Sequence, residues 1–569
     1  MSRRWRVRWI GAVALLVGCT TSSGVELTRS DQHPVPTATS TEPASTEPDS
    51  TAPAPESASP VSVPDIDPVA WHECAAQPAP WQCGEIAVPL DYRQPAAKQI
   101  FISLDRLPAA QPAERIGSLV LNPGGPGGSG IELADAEAER FPPAIRNRFD
   151  VVGFDPRGVG ASTAARCPDD FDVGADSYDR CIDESRDLLP FIGTVNVARD
   201  LEEIRIALGD SRLTYLGYSY GTAIGAVYAD MFPDHVRALV LDGAVDPAAG
   251  HVNSTGAFGD DYYAQQDFEG TVDVFHTMCD ASVRCAAGPH SKQLLGHVED
   301  VIDDLPVSNF AGATPLTSSD VDDIVTNSMY NVGIWPALAI ALHDADGGDA
   351  STLAALDSWL QYGYPADKGR DDDFGFAHLA IECADFAGRG VRSFDCQGFP
   401  DTADPLPDVV RTTSTVPIVV VGTADDPATP ARYAPKMATA LGNAVAIEWE
   451  GAGHTAFLTS KCVTKAVTDY IVRLAVPATG LTCPFVVGAD TVAQRADALF
   501  APPRSTDDVL AITDVLTGQG MADDDAQCVA AHLVNRGDRR LIVHETLGVE
   551  SPDLVAVRRV IERECAIGG

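Results

Sequence analysis

The most constraining stretch of the chain is Leu213-Thr214-Tyr215-Leu216, followed at once by Gly217-Tyr218-Ser219-Tyr220-Gly221 and then by the small-residue run Thr222–Met231. The first run is short, apolar and rich in strand-forming residues, so it predicts a strand; the last predicts a helix. Only a tight turn fits between them, and the small residues around Ser219 permit one. The pattern recurs. Leu119 to Leu121 ends in a glycine cluster, Phe149 to Phe154 ends in Asp155-Pro156-Arg157-Gly158, Ala238 to Leu241 ends in Asp242-Gly243, and Pro417 to Val421 repeats it far downstream. Short apolar strands alternating with helical stretches predict an α/β fold around a mostly parallel sheet, covered by helices on both faces. Ligand sites in such sheets lie at the C-terminal strand ends.

A serine presented on an elbow needs a base to take its proton, and the base needs an acid to orient it. In a fold of this kind they follow in the order serine, acid, histidine. Val420-Val421-Gly422-Thr423-Ala424-Asp425-Asp426-Pro427 places two acids directly after a strand, and Gly451-Ala452-Gly453-His454 then sets a histidine in a glycine-rich loop. Order, spacing and setting make His454 the base, with Asp425 and Asp426 equal as the acid. A third element is the loop Asn122-Pro123-Gly124-Gly125-Pro126-Gly127-Gly128-Ser129-Gly130 after a strand. It lacks the lysine of a phosphate-binding loop and the spacing of a dinucleotide fingerprint. Its backbone N–H groups suit an oxyanion instead, together with the N–H of Tyr220, the residue after the nucleophile. Loss of one such donor typically costs about 2.7–4 kcal/mol of transition-state stabilisation.

The chain has 569 residues, more than one ordinary domain of about 100–200 holds. Its 81 acidic residues against 40 Lys and Arg give a net charge of −41, which excludes a nucleic-acid binder. The N-terminus is the exception: Arg3, Arg4, Arg6 and Arg8 precede the short apolar run Ile10–Val17. That reads as an export signal over residues 1–18, and Gly18-Cys19 resembles the cleavage site of bacterial lipoproteins, with Cys19 as the lipidated residue and the membrane as partner. Residues 19–68, rich in Pro, Ser and Thr, then form a disordered tether from the outer face of the cell membrane. With Cys19 assigned to lipid, the other twelve of the 13 cysteines are an even set in an exported chain and predict disulfides. Joining neighbours gives Cys74–Cys83, Cys167–Cys181, Cys279–Cys285, Cys383–Cys396, Cys462–Cys483 and Cys528–Cys565. None of them forms a CxxC, so no zinc site is expected, and Asp371-Asp372-Asp373 reads as a solvated loop and not a calcium site. The sheet pattern occupies residues 69–247 and 413–485. Between them, residues 248–412 are acidic and helix-leaning, an inserted cap. Residues 486–569 form a small helical unit, with helices expected at Thr506–Leu516, Asp523–Val534 and Pro552–Glu564, that is a candidate partner-binding module.

Taken together, PGGPGG, FDPRGVGAS, GYSYGT, GTADDPATP and GAGH resemble the secreted tripeptidyl aminopeptidases of actinobacteria, relatives of proline iminopeptidase within the α/β-hydrolase fold. The resemblance spans about residues 70–485. It implies a Ser-His-Asp hydrolase without a cofactor that releases short peptides, tripeptides foremost, from a free N-terminus. The family's D-P-x-T-P falls on Asp426-Pro427-Ala428-Thr429-Pro430 and selects Asp426 as the acid, and the family's glycine-loop donor falls on Gly125. Ile381-Glu382-Cys383-Ala384-Asp385 is the place where the resemblance puts carboxylates in the cap, and Glu382, with Asp385 second, is expected to bind the substrate ammonium. An esterase or lipase with the same three residues, or a surface binding protein on a hydrolase scaffold, are the alternatives.

Overall fold

The central strands are apolar on both faces because both faces are covered. In the computed structural model, Leu119 and Leu121 enter one core while Val120 enters the other; Leu239 and Leu241 oppose Val240, and Val419 and Val421 oppose Val420. Each such side chain, taken wholly out of water, contributes roughly 1.5–3 kcal/mol, and this two-sided burial is what makes an uninterrupted apolar run stable as a strand. The structure describes residues 67–245 (without 76, 78, 169–170 and 172–177), 261–305, 307, 315–362, 371–386 and 396–501 (without 408). Beyond 501 it describes chiefly 523–536 and 538–547, with isolated positions between 509 and 565. The expected export signal, Cys19 and nearly all of the expected tether lie outside the described residues.

Ten strands form one sheet: β1 (His72–Glu73), β2 (Gln82–Pro89), β3 (Gln99–Leu107), β4 (Gly117–Asn122), β5 (Phe149–Phe154), β6 (Leu213–Tyr218), β7 (Val236–Asp242), β8 (Ile418–Asp425), β9 (Ala444–Ala452) and β10 (Thr482–Cys483). Their spatial order is β1-β2-β3-β5-β4-β6-β7-β8-β9-β10. From β5 to β10 neighbours are parallel, whereas β1, β2 and β3 continue the sheet antiparallel. The antiparallel edge is an addition to the sequence reading. Buried and exposed positions alternate along β2 and β3, so they show no apolar run.

Three helices lie against the central strands: α1 (Gly130–Glu137), α2 (Thr194–Ala207) and α3 (Gly221–Met231). The named elements between β7 and β8 are helices, beginning with α4 (Asp261–Ala281), passing through α5 (Trp335–Asp346) and ending with α6 (Asp371–Phe386). That matches an inserted helical cap. After β9, α7 (Lys461–Arg473) starts at Ser460, whose hydroxyl accepts from the Val463 N–H. The expected helix at Asp523–Val534 is α8 (Asp523–Arg536), and α9 (Arg539–Thr546), which sequence reasoning missed, follows it. Most of the other two expected tail helices lies outside the described residues.

The tail packs on the cap. Val529, Leu533 and Ile542 share a core with Ala337 and Ile340 of α5, and buried Asp344 of α5 receives His544 at 3.0 Å and Arg540 at 2.7 Å. Disulfides join Cys74–Cys83, Cys167–Cys181, Cys279–Cys285, Cys383–Cys396, Cys462–Cys483 and Cys528–Cys565, each linking neighbours in sequence. This many bridges marks an oxidising compartment and therefore an exported protein. Among the described residues no helix is long and apolar enough to cross a membrane.

Candidate active site

Ser219 directly follows β6 and sits at φ 53°, a left-handed conformation that side chains with a Cβ resist. Such strain costs on the order of 1–3 kcal/mol and persists only where the surroundings enforce it. Here they do. The Ser219 N–H donates to the Asp242 carbonyl at 2.9 Å, and its carbonyl accepts from the Thr222 N–H at 2.8 Å and the Thr222 hydroxyl at 2.6 Å. The turn is too tight for side chains beside it: a Cβ on Gly217 would stand 2.5 Å from the Gly221 carbonyl oxygen, and one on Gly221 would stand 2.8 Å from Asn122 Oδ1. The G-x-S-x-G spacing is thus a packing requirement.

Asp426, just beyond β8, and His454, just beyond β9, meet directly. His454 Nδ1 lies 3.0 Å from each Asp426 carboxylate oxygen. Asp426 is buried and receives the Ala428 N–H at 2.9 Å, the Thr429 N–H at 2.7 Å and the Thr429 hydroxyl at 3.0 Å. This cradle holds the carboxylate aimed at His454. Burial disfavours a charged His454, but Asp426 and, behind it, Asp242 outweigh that and raise its pKa above the ordinary imidazole value. Asp425, which sequence reasoning alone could not separate from Asp426, differs in its contacts. Its backbone carbonyl accepts from the Gly453 N–H at 3.0 Å and from the Thr271 hydroxyl at 3.2 Å, and partial burial raises its pKa.

Ser219 and His454 both abut the end of β7. Ser219 hangs from the Asp242 carbonyl, and a Cβ on Gly243 would lie 3.2 Å from His454 Cε1. The wholly buried Asp242 carboxylate accepts from the Ala456 N–H at 3.1 Å and the Phe457 N–H at 2.7 Å, and so fixes the chain just after His454. Burial lifts its pKa to about 6, against the pull of those N–H groups. Sequence reasoning did not select Asp242. Nor did it select Tyr330 of the cap, whose carbonyl accepts from the His454 N–H at 2.7 Å and whose ring meets the imidazole edge-on at 5.6 Å. Glu137 of α1 was missed as well. It is buried, accepts from the Tyr218 hydroxyl at 3.1 Å, and burial lifts its pKa to about 7.

The glycine loop lies against the elbow, as a Cβ on Gly124 would come within 2.7 Å of the Tyr220 nitrogen. Gly125 is the next residue, at φ +107°. Asn122 Oδ1 accepts from the Gly124 N–H at 3.0 Å, and the Gly128 N–H returns to the Gly124 carbonyl at 3.1 Å. At the loop's far end Ser129 caps α1 and bonds Asp155, whose carboxylate also accepts from the Ala161 N–H at 2.7 Å. The conspicuous FDPRGVGAS segment therefore buttresses the loop, with Asp155 and Arg157 both buried.

The two cap carboxylates part company. Glu382 is buried, with Oε1 3.4 Å from His378 Nε2. His378 Nδ1 lies 3.0 Å from the Pro126 carbonyl. Burial opposes a charge on His378, but the bonds to Glu382 and Pro126 prevail and its pKa is raised. Asp385 does not fit the expected second ammonium ligand. It is 1% exposed, and its oxygens accept from the Thr194 N–H at 2.7 Å, the Thr194 hydroxyl at 2.6 Å and the Tyr220 hydroxyl at 3.4 Å. The side chain turns into the core, toward the N-terminus of α2, where a carboxylate suits the helix dipole.

Among the described residues the clusters with ligand-like proximity are Cys528, His532 and Cys565, and Cys74, Cys83 and Asp105. In both the cysteines are joined as disulfides, which removes the thiolates a metal would need.

Residues 117–275 match the family model described as alpha/beta hydrolase fold, and residues 385–483 match that of TAP-like protein. Ser219 falls in the first segment, Asp426 and His454 in the second, and most of the cap between them. The chain is similar to serine protease Hip1 of Mycobacterium tuberculosis, 32% identical over 483 residues that cover 73% of this chain and 91% of that protein. It is similar to the tripeptidyl aminopeptidase of Streptomyces lividans, 41% identical over 216 residues, 32% of this chain and 39% of that one. It also resembles carboxylesterase B of M. tuberculosis, 30% identical over 464 residues, 71% of this chain and 86% of that one.

Proposed function

The chain belongs to the TAP-like branch of the α/β-hydrolase family and is a serine hydrolase, and from that premise we propose that it is an exported serine peptidase releasing short peptides, chiefly tripeptides, from free N-termini. The observation that carries the reading is the Asp426–His454 pair, 3.0 Å apart at both oxygens, set beside a strained serine at the head of a helix. Ser219 Oγ attacks the scissile carbonyl while neutral His454 takes its proton at Nε2. Asp426 holds the Nδ1–H tautomer and stabilises the imidazolium that forms. The N–H groups of Gly125 and Tyr220 receive the oxyanion. His454 then gives its proton to the leaving amine, and water, deprotonated by the same imidazole, releases the peptide and frees Ser219. Glu382 supplies the negative charge for the substrate ammonium, and a site of limited depth beyond it would measure off the peptide. The signal at residues 1–18, lipid on Cys19 and the tether to the membrane complete the proposal, and the kinship with named serine proteases supports it.

A second reading, an esterase with the same three residues, draws support from one contact. His378 already stands 3.4 Å from Glu382, so an ammonium must compete with a raised-pKa imidazole for that carboxylate. One assay separates the readings: wild type and Ser219→Ala on a fluorogenic tripeptide amide with a free or acetylated N-terminus, beside a short-chain acyl ester. Cleavage of the free-amine peptide by wild type alone is expected, with Glu382→Gln raising KM for it. Turnover of the ester alone would favour the esterase, and activity surviving Ser219→Ala would overturn both.

A further inference from the structure

Helix α6 touches the elbow and the glycine loop at once, and both contacts are polar and directional. Toward its middle, His378 Nδ1 donates to the Pro126 carbonyl at 3.0 Å. The loop rides directly on the helix there: a Cβ on Gly127 would lie 3.1 Å from the His378 nitrogen and 3.3 Å from the Phe374 carbonyl oxygen. Two turns further on, Asp385 binds Thr194 through both the backbone N–H and the hydroxyl, and reaches the Tyr220 hydroxyl at 3.4 Å. The same Tyr220 hydroxyl bonds the Thr194 hydroxyl. Tyr220 is 3% exposed and Asp385 1%. A carboxylate taken this far from water costs several kcal/mol unless fully hydrogen-bonded, and a tyrosine could fill its space as phenylalanine. Neither polar group is needed for packing alone.

We propose that α6 is a clamp that sets the oxyanion hole: His378 fixes the Gly125–Gly127 loop, and Asp385 with Thr194 fixes Tyr220 through its hydroxyl. One helix of the cap thereby sets the spacing of two backbone donors that come from different strand ends. This rests on reading Gly125 and Tyr220 as those donors. His378, Asp385 and the Tyr220 side chain are positioning groups; the chemistry passes through the backbone. Because oxyanion donors act on charge that develops only in the transition state, loosening the clamp lowers kcat and spares substrate binding.

Tyr220→Phe keeps the backbone N–H and removes the hydroxyl. His378→Leu removes the donor to Pro126, and His378→Asn restores a donor where Nδ1 stood. Each is assayed in the full chain on a free-amine tripeptide anilide. Each is also titrated with a tripeptidyl boronate, which forms a tetrahedral adduct on serine, and with the tripeptide product. Tyr220→Phe and His378→Leu are expected to lower kcat about 10- to 100-fold, as for a misplacement on the order of 1 Å, with KM within about twofold in Tyr220→Phe and lowered in His378→Leu, where Glu382 loses its competing imidazole. In Tyr220→Phe boronate affinity is expected to fall by the same factor as kcat and tripeptide affinity to hold, and His378→Asn is expected to recover most of kcat. Two results would overturn the clamp: near-wild-type kcat in both Tyr220→Phe and His378→Leu, or equal losses of boronate and tripeptide affinity. In either case an inactive Ser219→Ala leaves the hydrolase reading standing, whereas an active one removes that reading first.

Discussion

Two adjacent aspartates with different surroundings show how much a single position decides. Asp426 lies in a cradle of three donors and faces His454, while Asp425 meets its neighbours through its backbone carbonyl. Asp426→Asn is therefore expected to lower kcat by about four orders of magnitude, the loss seen when the triad acid is neutralised and the tautomer goes wrong. Asp425→Asn should stay within about threefold of wild type, since it removes no oriented charge. Steady-state kinetics on both variants decides the assignment, and the reverse order of effects would reject it. Glu137 carries a different signature. Burial raises its pKa from 4.5 to about 7, so the protonated carboxyl favours the fold below about 4.5 and that contribution is lost as pH rises through about 7. Glu137→Gln keeps an acceptor for Tyr218 and removes the charge. At about pH 8 the variant should be more stable than wild type by up to about 3 kcal/mol, the gap closing as pH falls toward about 4.5. Urea unfolding at several pH values measures this, and a gap independent of pH would contradict it.

At the scale of elements, legibility follows locality. The strands β4, β5, β6, β7 and β8 and the helix after Ser219 were readable because each is an apolar run closed by its own turn residues. The elbow and His454 stood out for the same reason, each directly after a strand in a loop with its own signature; the acid was narrowed only to the pair Asp425-Asp426, and the resemblance alone singled out Asp426. The antiparallel strands β2 and β3, and β9 with Glu448 and Glu450 along it, were not, because half of each strand faces water and polar residues break the run. Asp242, Tyr330 and His378 were invisible for a different reason. Their partners lie far away in sequence, at Ala456, His454 and Pro126, and no local pattern encodes such a pair. The contacts of Asp385 with Thr194 and Tyr220 were equally invisible, since lying three residues from Glu382 says nothing of which way a helical side chain turns. Arg157 ties elements together in the same non-local way. Its guanidinium grips Asp200 of α2 at 2.6 Å and the carbonyls of Pro89 and Leu90 at 3.0 Å, with no exposed surface on either charged side chain. Arg157→Met leaves Asp200 buried without its counter-ion and should cost about 3–5 kcal/mol of stability. Denaturant titration of the variant reads this directly; a loss under about 1 kcal/mol would mean that the pair is not holding β2 to α2.

For the molecule as a whole, the cap does more than cover the site. Tyr330 holds the His454 backbone, His378 meets the glycine loop and Asp385 reaches Tyr220, so the site is assembled from both the sheet and the insertion. The tail in turn grips the cap through Asp344, His544 and Arg540. Disulfides bridge the strand edge, the cap and the tail alike, which suits a chain that works outside the cell. Ser219 is proposed as the nucleophile of a peptidase that reads a free N-terminus. A tripeptidyl phosphonate, offered with a free or an acetylated amine, tests it most directly when intact mass and peptide mapping follow the adduct. A single phosphonyl adduct on Ser219 is expected, formed about tenfold or more faster from the free amine, a barrier difference of about 1.4 kcal/mol. An adduct on any other residue, or equal rates from the two reagents, would contradict it.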